Sequence, residues 1–137
     1  MLKTRVIVAG GRDFNDYNVL VKSLVSIFME KKLATYEVEV VSGNADGADK
    51  LGESFAHSAK AFGTTLKVMK ADWDKLGDSA GYIRNLEMAL YARSSINGIC
   101  VCFWDGNSDG TKHMIDIAKK ENLELYVFNY EGERINA

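Results

Sequence analysis

Residues 5–11 have the sequence Arg-Val-Ile-Val-Ala-Gly-Gly, and this stretch decides the fold. Its apolar run does not alternate with polar residues, which is typical of a strand buried on both faces of a parallel sheet. The glycine pair ends the run, Asp16 can cap a helix, and apolar side chains recur at helical spacing over 17–28. A strand, a glycine turn and a helix in this order predict one βα unit.

The same unit recurs along the chain. Further strands are predicted at 37–41, 65–69, 98–103 and 124–128, with helices at about 48–62, at about 81–92 and around 114–118. Strands that alternate with helices require right-handed crossovers and a mainly parallel sheet. We therefore predict an α/β fold, a Rossmann-like three-layer sandwich whose mainly parallel five-stranded sheet has the order 3-2-1-4-5. The 137 residues are expected to form a single domain, 1–137.

The third predicted helix carries Ile83, Leu86 and Leu90 at helical spacing, so these side chains are expected to face the sheet. The residues before it, 70–80, are predicted to form a loop. The tail after residue 128 is polar and carries no strand signal.

Composition argues against several classes of function. The net charge is −2, so the basic surface that duplex DNA requires is absent, and nucleic acid is not an expected partner. No apolar run approaches the roughly 20 residues of a membrane span. The N-terminus lacks a secretory signal pattern, and Cys100 and Cys102 are two positions apart on one predicted strand, which is poor geometry for a disulfide. We expect a cytoplasmic protein with reduced cysteines and no metal site.

Glycine-rich loops follow the first, second and fourth predicted strands, at 10–13, 42–49 and 105–111. Parallel strands end at one edge of a sheet, and the strand order reverses between strands one and four, so a crevice is expected there. Glycines allow close backbone approach, and the following helix N-termini favour an anion. The pattern predicts a site for a phosphate-bearing small molecule. Neither a G-x-G-x-x-G fingerprint nor a P-loop motif is present, so no cofactor is predicted.

Four motifs carry a resemblance to a known family: VIVAGGRDF at 6–14, VSGNADGADKLGE at 41–53, ADW and AGYIRNLEM at 71–73 and 80–88, and the DG and GT pairs at 105–106 and 110–111. Over roughly residues 5–128 the chain resembles the SLOG superfamily, in particular its small single-domain YspA-like branch. The resemblance implies a Rossmann-like domain that binds a nucleotide or a nucleotide-derived ligand. Relatives include cytokinin-activating phosphoribohydrolases and the DNA-uptake protein DprA. Many relatives self-associate, so a homo-oligomer is expected, with Phe103 and Trp104 as candidate contact surface.

The candidate ligand-binding residues lie in the glycine loops, in the segment before the third helix and in that helix. Backbone approach to the ligand is predicted at Gly10, Gly11, Gly43, Gly106 and Gly110. The candidate side chains are Arg12, Ser42, Asn44, Asp49, Asp72, Trp73, Arg84, Asn85 and Thr111. Arginine can hold a phosphate bidentately, a threonine hydroxyl can donate to one, and tryptophan can stack on a base.

Several of these residues also have a purely structural interpretation. Arg12 could pair with Asp13 on the surface, Asp49 could cap a helix instead of binding a ribose hydroxyl, and Trp73 could fill the core. Asp105 and Asp109 add negative charge near the expected phosphate. Such a carboxylate is repulsive unless it turns away or a cation screens it.

Three functions are compatible with the resemblance. The first is a binding or sensing module for a nucleotide-like small molecule, because the loops converge without a clear nucleophile or metal cluster. The second is a nucleoside monophosphate phosphoribohydrolase, in which Glu87 would assist water attack on the N-glycosidic bond and Arg84 would hold the phosphate. The hydrolase branch carries a glutamate just after its glycine-threonine pair, whereas this chain has Lys-His-Met at 112–114. The third, by similarity to DprA, is single-stranded nucleic-acid binding, which the acidic charge balance disfavours.

Overall fold

A computed structural model describes residues 3–137. Its strands are β1 (Thr4–Gly10), β2 (Val38–Ser42), β3 (Thr65–Val68), β4 (Gly98–Phe103), β5 (Glu124–Phe128) and β6 (Arg134–Ile135). Its α-helices are α1 (Tyr17–Lys31), α2 (Ala48–Ala59), α3 (Trp73–Leu76), α4 (Ala80–Arg93) and α5 (Asp109–Lys120). Helix α1 begins where the sequence predicts it, because the Asp16 carboxylate accepts the Val19 N–H at 3.1 Å.

The strands form one sheet in the order β3-β2-β1-β4-β5-β6, in which β1 to β5 are parallel and β6 is antiparallel to β5. The predicted Rossmann-like sandwich and the order of its first five strands are therefore confirmed. The prediction of five strands missed β6, which has only two residues. A turn in which the Asn129 side chain accepts the Glu131 and Glu133 N–H groups returns the polar tail to the sheet.

The central strands β1 and β4 are buried on both faces, as their unbroken apolar runs predict, whereas the edge strand β3 is partly exposed. Val6 and Val8 of β1 face a core that α1 and α2 cover, whereas Ile7 and Ala9 face a second core under α4 and α5. Alternate side chains of one strand thus enter two separate cores, which makes three layers. Within residues 3–137 no helix combines the length and apolar character that crossing a bilayer requires.

Helix α4 packs on the sheet through small residues, contrary to the prediction. Its inward face consists of Ala80, Asn85, Met88, Ala89 and Ala92, all buried. The larger apolar side chains on the other side of the helix are exposed, namely Tyr82, Ile83, Leu86 and Leu90. Alanines let a helix approach a sheet closely, so side-chain size rather than apolar spacing decides which face is buried here.

The segment 70–80 is not the continuous loop predicted from its composition. Asp72 caps the short helix α3 by accepting the Lys75 N–H at 3.1 Å, and a 3₁₀ turn at Gly77–Ser79 leads into α4. The predicted contact surface also differs, because Phe103 is fully buried and stacks between Phe14 and Phe128.

Candidate functional site

The loops after β1, β2 and β4 lie side by side at the carboxyl edge of the sheet. The Gly11 N–H donates to the Phe103 carbonyl at 3.0 Å, and the Ala48 N–H donates to the Gly11 carbonyl at 3.2 Å. These two bonds join the β1 loop to the end of β4 and to the start of α2. Between the loops and the N-terminal half of α4 is a cavity of about 210 Å³, the central cavity.

Eight of the predicted site residues line this cavity: Gly10, Arg12, Asp49, Trp73, Arg84, Asn85, Gly110 and Thr111. The lining residues that the sequence did not single out are Ala9, Ala45, Asp78, Gly81, Tyr82, Met88, Ser108 and Met114. Most of these residues have side chains without distinctive chemistry. Their one signal in the sequence is that they lie in or next to the motifs that hold the predicted site residues. Predicted residues that do not line it are Gly11, Ser42, Gly43, Asn44, Asp72, Gly106 and Glu87; of these, Gly43 and Asn44 line a neighbouring cavity.

Arg84 is held in place by the β2 loop and by its own helix. One guanidinium nitrogen donates to the Gly43 carbonyl, and Nε donates to the Asn85 side-chain oxygen at 3.2 Å. A Cβ at position 43 would overlap the guanidinium, so a side chain there would displace Arg84 from this position. Asn85 in turn donates to the Gly110 carbonyl at 3.4 Å and contacts His113 Nδ1 at 3.1 Å. Both residues thus tie α4 to loops on either side of the cavity.

Arg12 and Arg84 are the two arginines of the described chain without a carboxylate partner. The other three of the five arginines pair with Glu39, Glu121 and Glu30. Burial lowers the pKa of the Arg84 guanidinium; Asp49 opposes this effect and Arg12 adds to it. Two cations that repel each other in one cavity create a place where an anion is stabilised.

Asp49 is buried in the first turn of α2, and its side chain reaches the cavity. Its carboxylate accepts the Ala45 N–H at 3.3 Å, which ties it to the β2 loop; the N-cap of α2 is Gly47, so Asp49 does not cap this helix. Burial raises the pKa of the Asp49 carboxyl to about 6, although the nearby Arg84 guanidinium opposes this increase. A carboxyl in this state can accept a hydroxyl hydrogen bond when charged and donate one when neutral.

The raised pKa of Asp49 predicts how the stability of the protein depends on pH. The free energy of unfolding of the wild type, relative to Asp49→Asn, should fall by about 3 kcal/mol as pH rises from about 3 to about 7. The protonated carboxyl is favoured in the folded state, so its contribution is full below the unfolded pKa and is lost as pH rises through the folded one. Urea unfolding of both proteins across this range measures the difference. A difference independent of pH would contradict the assignment.

Ser42 and Asn44 serve the β2 loop itself. The Ser42 hydroxyl donates to Glu53 Oε2 at 2.7 Å, and the Asn44 side-chain amide donates to the same oxygen at 2.8 Å. Asn44 has a positive φ of 64°, a conformation that asparagine tolerates better than most residues. Glu53, which the sequence analysis did not single out as a site residue, therefore fixes the loop that presents the Gly43 carbonyl to Arg84.

Two exposed aromatic rings form the rim of the cavity. Trp73 is 49% exposed and Tyr82 is 46% exposed, so neither fills the core. The Arg12 guanidinium carbon lies 6.0 Å from the Trp73 ring centroid, and the Tyr82 ring stands edge-on to His113 with centroids 4.5 Å apart. Open aromatic faces beside cations suit a flat, polarisable group such as a base.

The N-terminus of α5 closes the opposite side of the cavity. Ser108 caps the helix, and the Ser108 and Thr111 hydroxyl oxygens lie 3.2 Å apart. Asp105 is tied to the turn that leads into this helix, because its carboxylate accepts the Asn107 and Ser108 N–H groups at 2.8 Å each. Asp109 lies in the first turn of α5, so both negative charges stay near the helix end at which a phosphate is expected.

Comparisons with known proteins relate the chain to a family and to one phage protein. The model of the YspA, cpYpsA-related SLOG family matches residues 4–76, which include the β1 and β2 loops. The chain is also similar to the Gene 61 protein of Mycobacterium phage D29, with 31% identity over 126 residues, 90% of this chain and 95% of that protein. No solved structure matches the chain significantly.

Proposed function

The chain belongs to the YspA, cpYpsA-related SLOG family, and from this premise we propose that it binds a nucleotide or a nucleotide-derived phosphorylated small molecule in the central cavity. One observation carries the proposal. Arg12 and Arg84, the two arginines without a carboxylate partner in the described chain, line the same cavity beside the N-terminus of α5. Guanidinium groups and helix N-termini are the two features that proteins use most directly to hold phosphate.

The phosphate is bound between the arginines and the α5 N-terminus. Arg84 is positioned in advance by its bond to the Gly43 carbonyl, so little side-chain entropy is lost when it meets the anion. The Thr111 hydroxyl supplies a further donor, and glycine at 110 keeps the helix end open to the ligand. The charge-assisted bonds supply most of the affinity for this part of the ligand.

The nucleoside part lies toward the aromatic rim. Trp73 and Tyr82 offer exposed ring faces for the base, and Asp49 offers a carboxyl for a ribose hydroxyl. Met88 and Met114 form an apolar floor, which favours the flat or apolar part of the ligand over water. The arrangement supports a binding or sensing module.

A second candidate function is hydrolysis of the N-glycosidic bond of a nucleoside monophosphate. The observation that favours it is a buried carboxyl in the cavity, Asp49, with a pKa of about 6. Such a group can accept a proton from water as the water oxygen bonds to C1′ and the bond from C1′ to the base nitrogen breaks, and it can then return that proton to the leaving base. Glu87 is exposed on α4 and does not line the cavity, so Asp49 is the better candidate for this step.

Titration calorimetry with AMP, GMP, CMP, UMP and ADP-ribose tests the first function. Binding by one of them, with competition by excess inorganic phosphate, supports it; folded protein that binds none overturns it. Chromatography of the same mixtures after prolonged incubation tests the second function. Release of free base that is lost in Asp49→Asn supports hydrolysis, and unchanged nucleotide rejects it.

A further inference from the structure

A second cavity of about 280 Å³ adjoins the central cavity, and we call it the side cavity. The two share four lining residues, among them Arg12, Trp73 and Arg84. The side cavity is completed by the β2 loop and by Lys70 in the segment after β3. Since the guanidinium of Arg84 contacts Gly43, a ligand group held by this arginine lies at the junction of the two cavities.

The side cavity is rich in unpaired positive charge. Three cations line it, and none of Arg12, Lys70 and Arg84 forms an ion pair within residues 3–137. Asp46 is the one carboxylate in its lining. With three cations and one carboxylate in its lining, the side cavity has an excess of positive charge, which favours an anion.

Size supports the use of both cavities by one ligand. Small-molecule sites usually measure roughly 300 to 1,000 Å³. Neither cavity alone reaches that range at about 210 and 280 Å³, whereas the two joined through Arg12 and Arg84 do. The central cavity carries the aromatic rim and apolar floor that suit a nucleoside, which leaves the basic side cavity for a second anionic group.

We propose that the side cavity binds a second phosphate of the same ligand, so that the preferred ligands are nucleotides with a diphosphate. This inference rests on the proposed function and narrows its ligand class. Arg12 and Arg84 hold the phosphate nearest the nucleoside, and Lys70 meets the outer one.

Calorimetry with pairs such as AMP and ADP, or GMP and GDP, tests this inference. For the base that binds best, the diphosphate should bind wild type about tenfold more tightly than the monophosphate, as expected for one added charge-assisted bond. Lys70→Gln should reduce that ratio to near one and leave monophosphate affinity unchanged. The matched control is Lys75→Gln, an exposed lysine of α3 that lines neither cavity.

The outcomes separate the two proposals. Equal affinity of wild type for mono- and diphosphate overturns the side-cavity inference and leaves the proposed function intact. The side-cavity inference is overturned in the same way if Lys70→Gln keeps the full preference for diphosphate. Failure of every compound in the panel to bind, ADP-ribose included, overturns the proposed function itself.

A second, independent inference concerns the exposed face of α4. Tyr82, Ile83, Leu86 and Leu90 are between 38% and 46% exposed and follow helical spacing, so they form one stripe, the α4 stripe. Leu76 of α3 is also exposed at 37%. The opposite face of α4 is buried on the sheet. A helix that is apolar on both sides is usually covered on both sides.

The stripe is complementary to itself. Ile83 and Leu90 lie three and four positions from Leu86, so an antiparallel copy related by a two-fold axis near Leu86 sets each Ile83 against the Leu90 of the other copy. Asp78 lies just before α4, and Arg93, whose side chain is 60% exposed although it bonds Glu121, ends it. The same two-fold arrangement brings the acidic end of one helix beside the basic end of the other.

We infer that the α4 stripe is the contact surface of a homodimer. Sedimentation velocity at concentrations from 1 to about 100 μM should show a dimer for wild type and a monomer for Leu86→Glu, because a charge in an apolar interface is strongly unfavourable. Met29→Glu is the control, since Met29 is 74% exposed on α1 and outside the stripe. It should remain dimeric.

Three results would overturn this inference. The wild type could be a monomer at every concentration, the Leu86→Glu variant could remain a dimer, or the Met29→Glu variant could lose the dimer. Thermal unfolding confirms that each variant is folded, and Leu90→Glu provides an independent substitution in the same stripe should Leu86→Glu fail to fold.

Discussion

Replacing Arg84 by glutamine is expected to weaken binding of the nucleotide that wild type prefers on the order of 100-fold. Truncating one partner of a buried, charge-assisted pair costs roughly 2 to 5 kcal/mol, and each 1.4 kcal/mol is a factor of ten. Arg84 lies at the junction of both cavities and has no carboxylate partner in the described chain. Its loss leaves Arg12 as the single guanidinium beside the phosphate. Titration calorimetry measures the effect.

The control for this prediction is Arg93→Gln on the same helix. Arg93 is bonded to Glu121 at 2.8 Å and lines neither cavity, so its replacement should leave affinity within a factor of two. Arg84→Lys keeps the charge but not the planar fork, and it should fall between wild type and Arg84→Gln. Equal affinities for Arg84→Gln and Arg93→Gln, with both proteins folded, would refute the role given to Arg84.

The fold was predictable from the sequence because the two central strands, β1 and β4, contain unbroken apolar runs. The run at 6–9 has no alternation, and such a strand can be stable only between two layers of helices. The orientation of α4 was not predictable from spacing, since the helix has apolar residues on two faces. Ala89 and Ala92 face the sheet, and Leu86 and Leu90 face outward. Side-chain size in relation to the sheet decided this, and periodicity carries no information about size.

The candidate site was predictable where glycine loops and charged residues share a motif, as they do at Arg12 and Arg84. The position of Glu87 illustrates the limit. It lies three residues after Arg84, and helical spacing alone suggests a shared face. Successive residues of an α-helix are rotated by about 100°. The face of α4 that lines the central cavity therefore consists of Gly81, Arg84, Asn85 and Met88, and Glu87 is rotated away from the centre of that face. Tyr82 lies in the first turn of α4 and Ser108 is the N-cap of α5, and no sequence pattern predicts that these two helix ends line one cavity.

Replacing Gly47 by alanine is expected to lower the free energy of unfolding by about 3 kcal/mol or more. Gly47 has φ of 79° and ψ of −128°, a conformation that residues with a Cβ rarely adopt. The added Cβ would also overlap the Gly11 carbonyl oxygen and the Arg12 carbonyl group. Backbone cannot move aside as a flexible side chain can, so steric overlap adds to the conformational strain. Urea unfolding, with the slope of the transition checked for change, measures the loss.

Gly106→Ala isolates the steric part of this effect. Gly106 also has a positive φ, of 88°, but a Cβ there would meet nothing within 4 Å, so the variant should lose only about 1 kcal/mol of conformational strain. The excess loss in Gly47→Ala then measures how closely the β1 and β2 loops approach each other. That approach includes the bond from the Ala48 N–H to the Gly11 carbonyl, which helps to hold Arg12 beside Asp49. Equal losses of unfolding free energy in the two variants would mean that the β1 and β2 loops are not in contact. That result would contradict the geometry of the central cavity, which depends on this contact.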